Sequence, residues 1–158
     1  EMSASLVGSE MCIRDRGNNY AFSSTEFTFA VYKQWWKSGV VAMQLHSHNT
    51  YGDTPWTMLP TIDASNGIRG YYEGRYRAKN EADVVVELRQ KVWRRNGIVV
   101  WGGVGSVFDD FSQISRHRLL PSFGVGYRWE FKKRVNVRVD VGFGKDSKAF
   151  SFGLNETF

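Results

Sequence analysis

Three sets of side chains in this sequence have types and spacings that could do chemistry. His46 and His48, in "AMQLHSH", stand two residues apart. On an extended chain alternate residues share a face, so both imidazoles would point the same way, as two ligands of a metal ion. The sequence positions no third ligand beside them, and no metal or other cofactor is implied. Arg69 stands between Gly67 and Gly70 in "NGIRGYYEG", residues 66–74. In an open loop it would be a solvated charge. Turned into the protein, a guanidinium needs a carboxylate to be tolerated. The third set is the alternation of Arg128 with Glu130 and of Arg138 with Asp140. Charges at that spacing on neighbouring strands form a cross-strand ladder more naturally than an acid/base pair. No Ser/His/Asp set or paired-carboxylate arrangement stands out, and "GVGS" at 103–106 lacks the lysine and helix of a phosphate loop. The chain is not expected to be an enzyme.

The elements that must position these residues follow a period of two. Phe123, Val125, Tyr127, Trp129 and Phe131 alternate with Ser122, Gly124, Gly126, Arg128 and Glu130. Val135, Val137, Val139, Val141 and Phe143 alternate with Asn136, Arg138, Asp140, Gly142 and Gly144. Strict alternation of this length signals strands with one apolar face. Val84, Val86, Leu88 and Val92 share a face opposite Glu87, Arg89 and Lys91. "STEFTFAVYKQWW", "GVVAMQLHSH", "GIVVWGGVGSVF" and "AFSFGLNETF" read as further strands. The total is about seven strands after Gly17, with no segment of helical period. The connections "KQWWKSG", "RRNG" and "KKRV" are short and basic, whereas those around 50–80 and 109–120 are long. Short turns at one end and long loops at the other is the asymmetry of outer-membrane barrels. Trp35, Trp36, Trp93 and Trp129 fall near the short-turn end, where an aromatic girdle would lie.

Bulk properties agree with that class. The 158 residues are 42% hydrophobic and 15% aromatic, with 16 Gly against 3 Pro. No run approaches the roughly 20 apolar residues of a membrane helix. The net charge is +5, but Lys and Arg are spread over turns and strands, so no nucleic-acid partner is expected. A single cysteine, Cys12, allows no internal disulfide framework. Residues 1–16 lack a signal-peptide apolar core. "MSASLVGSEMCIRDR", residues 2–16, shares no pattern with the rest and looks like translated sequencing-adapter read-through. We therefore divide the chain into residues 1–16, an artefactual or disordered segment, and 17–158, the structured part.

Three segments carry a resemblance to a known family. "IRGY", Ile68, Arg69, Gly70 and Tyr71, resembles the (V/I)RG(F/Y) motif of the BamA/TamA-type bacterial surface antigens. About five strands follow it, as in that family, at 81–93, 97–108, 121–131, 135–144 and 149–158. "FSFGLNETF", with Phe150, Phe152, Leu154 and the terminal Phe158, resembles the family's closing strand, its outer-membrane sorting signal. "LPSFGVGYRWEF" followed by "VNVRVDVGFG" resembles its penultimate pair.

The resemblance implies an all-β, antiparallel up-and-down transmembrane barrel, of which this chain would supply a C-terminal portion, too few strands to close. It implies a non-enzymatic role in inserting, assembling or translocating proteins at the bacterial outer membrane. The implied partners are outer-membrane lipids, client outer-membrane or secreted proteins, and accessory assembly proteins. The family's loop arginine reaches acidic positions on the next two strands. Glu87 matches the first, by its place in "VVVELR". The second belongs to a pattern F-x-D-x-G-x-V-F, which here reads "WGGVGSVF" and puts Gly103 where the aspartate is expected. Glu87 is thus the expected partner of Arg69, with its second partner left open, and Tyr71 is expected to pack against Gly103 and Gly105. Two alternatives keep the barrel, as a passive porin or as the anchor of a lipase-type enzyme. A third is a soluble β-sandwich.

Overall fold

The computed structural model describes residues 2–14, 21–62, 68–72, 74–109, 119–132 and 135–154. Eight strands form one antiparallel sheet in simple chain order: β1 (Met2–Arg14), β2 (Ala21–Trp36), β3 (Gly39–Gly52), β4 (Asn80–Trp93), β5 (Asn96–Phe108), β6 (Leu119–Lys132), β7 (Val135–Gly144) and β8 (Ser147–Leu154). Each strand pairs with the next, and β1 and β8 are the two edges. Among the described residues there is no α-helix, only a 3-10 turn, Trp56–Met58, in the β3–β4 connection.

The strand count exceeds the expected seven by one. The additional strand is β1, built from residues 2–14 of the segment expected to be artefactual or disordered, and it pairs with β2 along its whole length. Its side chains from Met2 to Met11 are all exposed. Main-chain hydrogen bonds need no particular side chain, so an open sheet edge accepts any extended segment. That is why periodicity gave no sign of this strand.

The β2–β3 and β4–β5 connections are two-residue turns at one end of the sheet, the end at which β6 stops and β7 starts. Register shifts lie at this end, between Gln34 and Trp36, Lys91 and Trp93, and Glu130 and Lys132. Bulges at a sheet rim bend and twist the strands there. Trp35, Trp36, Trp93 and Trp129 are all exposed at this end. The β3–β4 connection, 53–79, spans the opposite end.

The two faces of the sheet differ in an unusual direction. Phe123, Val125, Tyr127, Trp129 and Phe131 are exposed along β6, and Phe150, Phe152 and Leu154 along β8. Arg128, Asp140, Glu87, Asp83, Glu81 and His46 are buried on the other face. The small apolar core also lies on that face. Ile62, Ile68 and Tyr71 of the β3–β4 connection pack on Val85, Val99, Trp101 and Leu120 of β4, β5 and β6. The connection therefore folds back over the polar face and supplies much of what buries it.

Candidate functional site

The site is built where residues 68–71 cross the sheet. Ile68 is fully buried, and Arg69 and Tyr71 are each 2% exposed. Gly70 takes φ +111°, a left-handed conformation that glycine adopts without penalty. A Cβ on Gly70 would stand 2.9 Å from the Gly144 nitrogen, and one on Gly142 would stand 2.9 Å from the Arg69 carbonyl carbon. Loop backbone and β7 backbone are thus in direct contact, which only glycine permits on both sides.

Hydroxyls fix the loop backbone. Ser122 on β6 donates to the Arg69 carbonyl, and Ser147 on β8 donates to the Gly70 carbonyl at 2.5 Å. The Tyr71 hydroxyl donates to the Pro121 carbonyl at 2.7 Å and accepts from the Lys145 amide at 2.8 Å. Burial pushes the Tyr71 phenol above its ordinary pKa, which keeps the hydroxyl a donor.

The Arg69 guanidinium lies between two carboxylates on strands three apart in the sheet. Its Nη2 donates to Glu87 Oε1 on β4. Its Nη1 stands 3.4 Å from Asp140 Oδ2 on β7. Its Cζ is 4.4 Å from the Trp101 ring centroid on β5, within cation–π range. Both carboxylates serve further arginines. Glu87 Oε2 accepts from Arg89 Nε at 2.8 Å. Asp140 accepts from Arg128, and Arg138 Nε is 3.5 Å from its Oδ2. Four guanidiniums and two carboxylates form one network, with Glu87 and Asp140 fully buried at its centre. Each buried carboxylate is held by more than one guanidinium, so the network keeps its geometry around two desolvated charges.

Several sequence expectations change at this point. Arg69 meets Glu87, and the clamp has a second carboxylate after all, Asp140 of β7 in place of one on β5. Gly103 does not leave room for the family's aspartate: a Cβ there would meet the Val84 carbonyl oxygen at 2.7 Å and Val85 Cγ2 at 2.9 Å. Tyr71 packs against Gly144, where a Cβ would lie 2.6 Å from its ring, and edge-on to Tyr76 at 5.5 Å. Gly105 lies under Ile62 and Ile68 instead. The supposed cross-strand ladder is diagonal: Arg128 is directly opposite Arg138, and Asp140 opposite Gly126. That register puts two like charges face to face, and Asp140 bridges them.

Phe150, Phe152 and Leu154 line the exposed face of the edge strand β8 at 69, 67 and 64% exposure. Gly67 and Phe158 lie outside the described residues. His46 does gain carboxylate neighbours that its local spacing could not supply. Asp83 lies directly across the β3–β4 register, and Glu81 lies two residues away on β4. Compared with known proteins, the chain matches no family model and no curated protein sequence.

Proposed function

We propose that this sheet forms part of the wall of an outer-membrane β-barrel of the BamA/TamA type, one that assists the insertion, assembly or translocation of other proteins and performs no catalysis. One observation carries the membrane reading: the sheet buries a set of charges on one face and exposes aromatic residues on the other. Arg69, Glu87, Arg128 and Asp140 are each at most 5% exposed, while Phe123, Phe131, Phe150 and Phe152 are each at least 59% exposed. In water such a face would be a large unsatisfied apolar patch. In a bilayer it is the lipid-facing surface, and the polar face becomes the barrel interior.

The family reading rests on the IRGY motif and on where its arginine goes. Residues 68–71 lie against the polar face and tie β4, β6, β7 and β8 together. An inward loop that braces the wall while the β8 edge stays available suits a barrel whose seam admits client strands by strand addition. The outer-membrane lipids and the clients are its proposed partners.

Depleting the protein from its bacterium tests the role. Loss of newly assembled outer-membrane proteins is the expected result, and Arg69→Ala in the full protein should reproduce it in part. Altered solute permeability with normal assembly would instead mean a porin. Recovery of the folded chain in the soluble fraction without detergent would contradict the membrane reading itself.

A further inference from the structure

A second cluster of buried ionisable groups lies outside the Arg69 network, at the base of the connection that carries it. His46 on β3 and Asp83 on β4 are direct partners in the sheet register, and His48 and Glu81 are the next pair on the same face. His46 is 3% exposed, Asp83 1% and Glu81 0%. His46 Nδ1 stands 3.1 Å from Asp83 Oδ2. His46, Glu81 and Asp83 each offer a ligand atom, and the three atoms all lie within 4.8 Å of one another. On the far side of the ring, His46 Nε2 is 3.2 Å from Glu26 Oε1 on β2.

We infer that His46, Asp83 and Glu81 form a binding site for a divalent transition metal of the zinc class, clasping β3 to β4 beneath the loop. The donor set selects that class. One imidazole with two carboxylates suits zinc, cobalt, nickel or manganese, whereas calcium and magnesium favour all-oxygen cages and copper(I) favours sulfur. Glu26 supplies the outer partner such sites employ. A carboxylate that accepts a hydrogen bond from Nε2–H fixes the tautomer and leaves the Nδ1 lone pair facing Asp83 and Glu81. The spacing is suitable as well. Tetrahedral ligands about 2.0–2.1 Å from zinc stand roughly 3.3 Å apart, close to the separation between Nδ1 and Oδ2. His48 is not required, since its Nε2 is already 2.7 Å from Ser24 Oγ.

The position gives the ion a task. β3 ends at Gly52 and β4 begins at Asn80, so the metal would fasten the two strands that open into the Arg69 loop. The cluster depends on the register of β3 and β4 alone, and the inference does not need the outer-membrane reading.

Equilibrium dialysis of the full chain against zinc, in detergent after chelator treatment, tests it. We expect one equivalent bound in the micromolar range or tighter, at least tenfold weaker binding in His46→Gln and in Asp83→Asn, and unchanged binding in His48→Gln. Tetrahedral cobalt(II) absorption should follow the same pattern. Chelator should lower the melting temperature of the wild type and leave that of His46→Gln unmoved, provided circular dichroism shows both variants folded. No stoichiometric binding by the wild type, or binding that survives both substitutions, would overturn the inference and leave His46 simply hydrogen-bonded to its carboxylates.

Discussion

Replacing Arg69 with alanine removes three contacts between the loop and the sheet: the hydrogen bond to Glu87, the ion pair with Asp140 at 3.4 Å, and the stacking on Trp101 at 4.4 Å. A hydrogen bond to a charged group is worth about 1.5–3 kcal/mol net. A desolvated cation–π contact adds about 1–2 kcal/mol. Against these stands the cost of burying the guanidinium. Neither carboxylate is orphaned by the change, because Arg89 remains on Glu87, and Arg128 and Arg138 remain on Asp140. The loss therefore falls short of the full penalty for a broken buried pair and comes to about 3 kcal/mol of loop docking. That is roughly a hundredfold rise in the undocked population. The reporter is Ile68, fully buried when the loop is docked. In an Ile68→Cys, Cys12→Ser background, the rate of thiol labelling follows the open population. Arg69→Ala should raise that rate about a hundredfold. Arg69→Lys should recover only part of it, since one ammonium cannot reach both carboxylates. Double-mutant cycles should couple Arg69 to Glu87 by about 2 kcal/mol and to Asp140 by about 1 kcal/mol. A labelling rate within twofold of the parent, with no coupling to either carboxylate, would refute the clamp.

The neighbouring contacts give further outcomes. Tyr71→Phe removes a hydroxyl that both donates and accepts, and should cost about 1–2 kcal/mol of docking by the same labelling assay. Gly142→Ala places a methyl 2.9 Å from the Arg69 carbonyl carbon and should release the loop with every charge intact, seen as fast labelling at position 68. Gly103→Asp, which introduces the aspartate that the resemblance suggested, should lower the melting temperature without slowing that labelling, because its Cβ meets the Val84 carbonyl at 2.7 Å. Trp101→Leu keeps the volume apolar but removes the π face, and should speed labelling about fivefold for the loss of roughly 1 kcal/mol.

The sheet was readable from the sequence wherever one face had to differ from the other. β6 alternates without exception from Ser122 to Phe131, where the structure exposes the apolar set and turns the other inward, and the β7 sequence alternates in the same way. β1 escaped because it has no face that must differ from the other: its side chains from Met2 to Met11 are all exposed. The site was legible in half. Arg69 and Glu87 could be matched because a local motif marks each. Asp140 could not, since nothing local connects a residue on β7 with a loop before β4, and only the register shows that the loop crosses three strands to reach it. Trp101 was visible as a strand residue but not as the surface on which the guanidinium rests. The carboxylates beside His46 have the same history. Asp83 and Glu81 are adjacent to the histidines through the β3–β4 register and not through spacing.

If this sheet is barrel wall, its aromatic face meets lipid and its charged face does not. Single cysteines at Val125, Tyr127 and Phe152 in a Cys12→Ser background, each spin-labelled in the protein reconstituted into lipid vesicles, test it directly. All three labels should collide with oxygen dissolved in the bilayer and be shielded from a water-soluble nickel complex, with a label at Ser122 shielded from both. Ready access of the water-soluble complex to positions 125, 127 and 152 would contradict it.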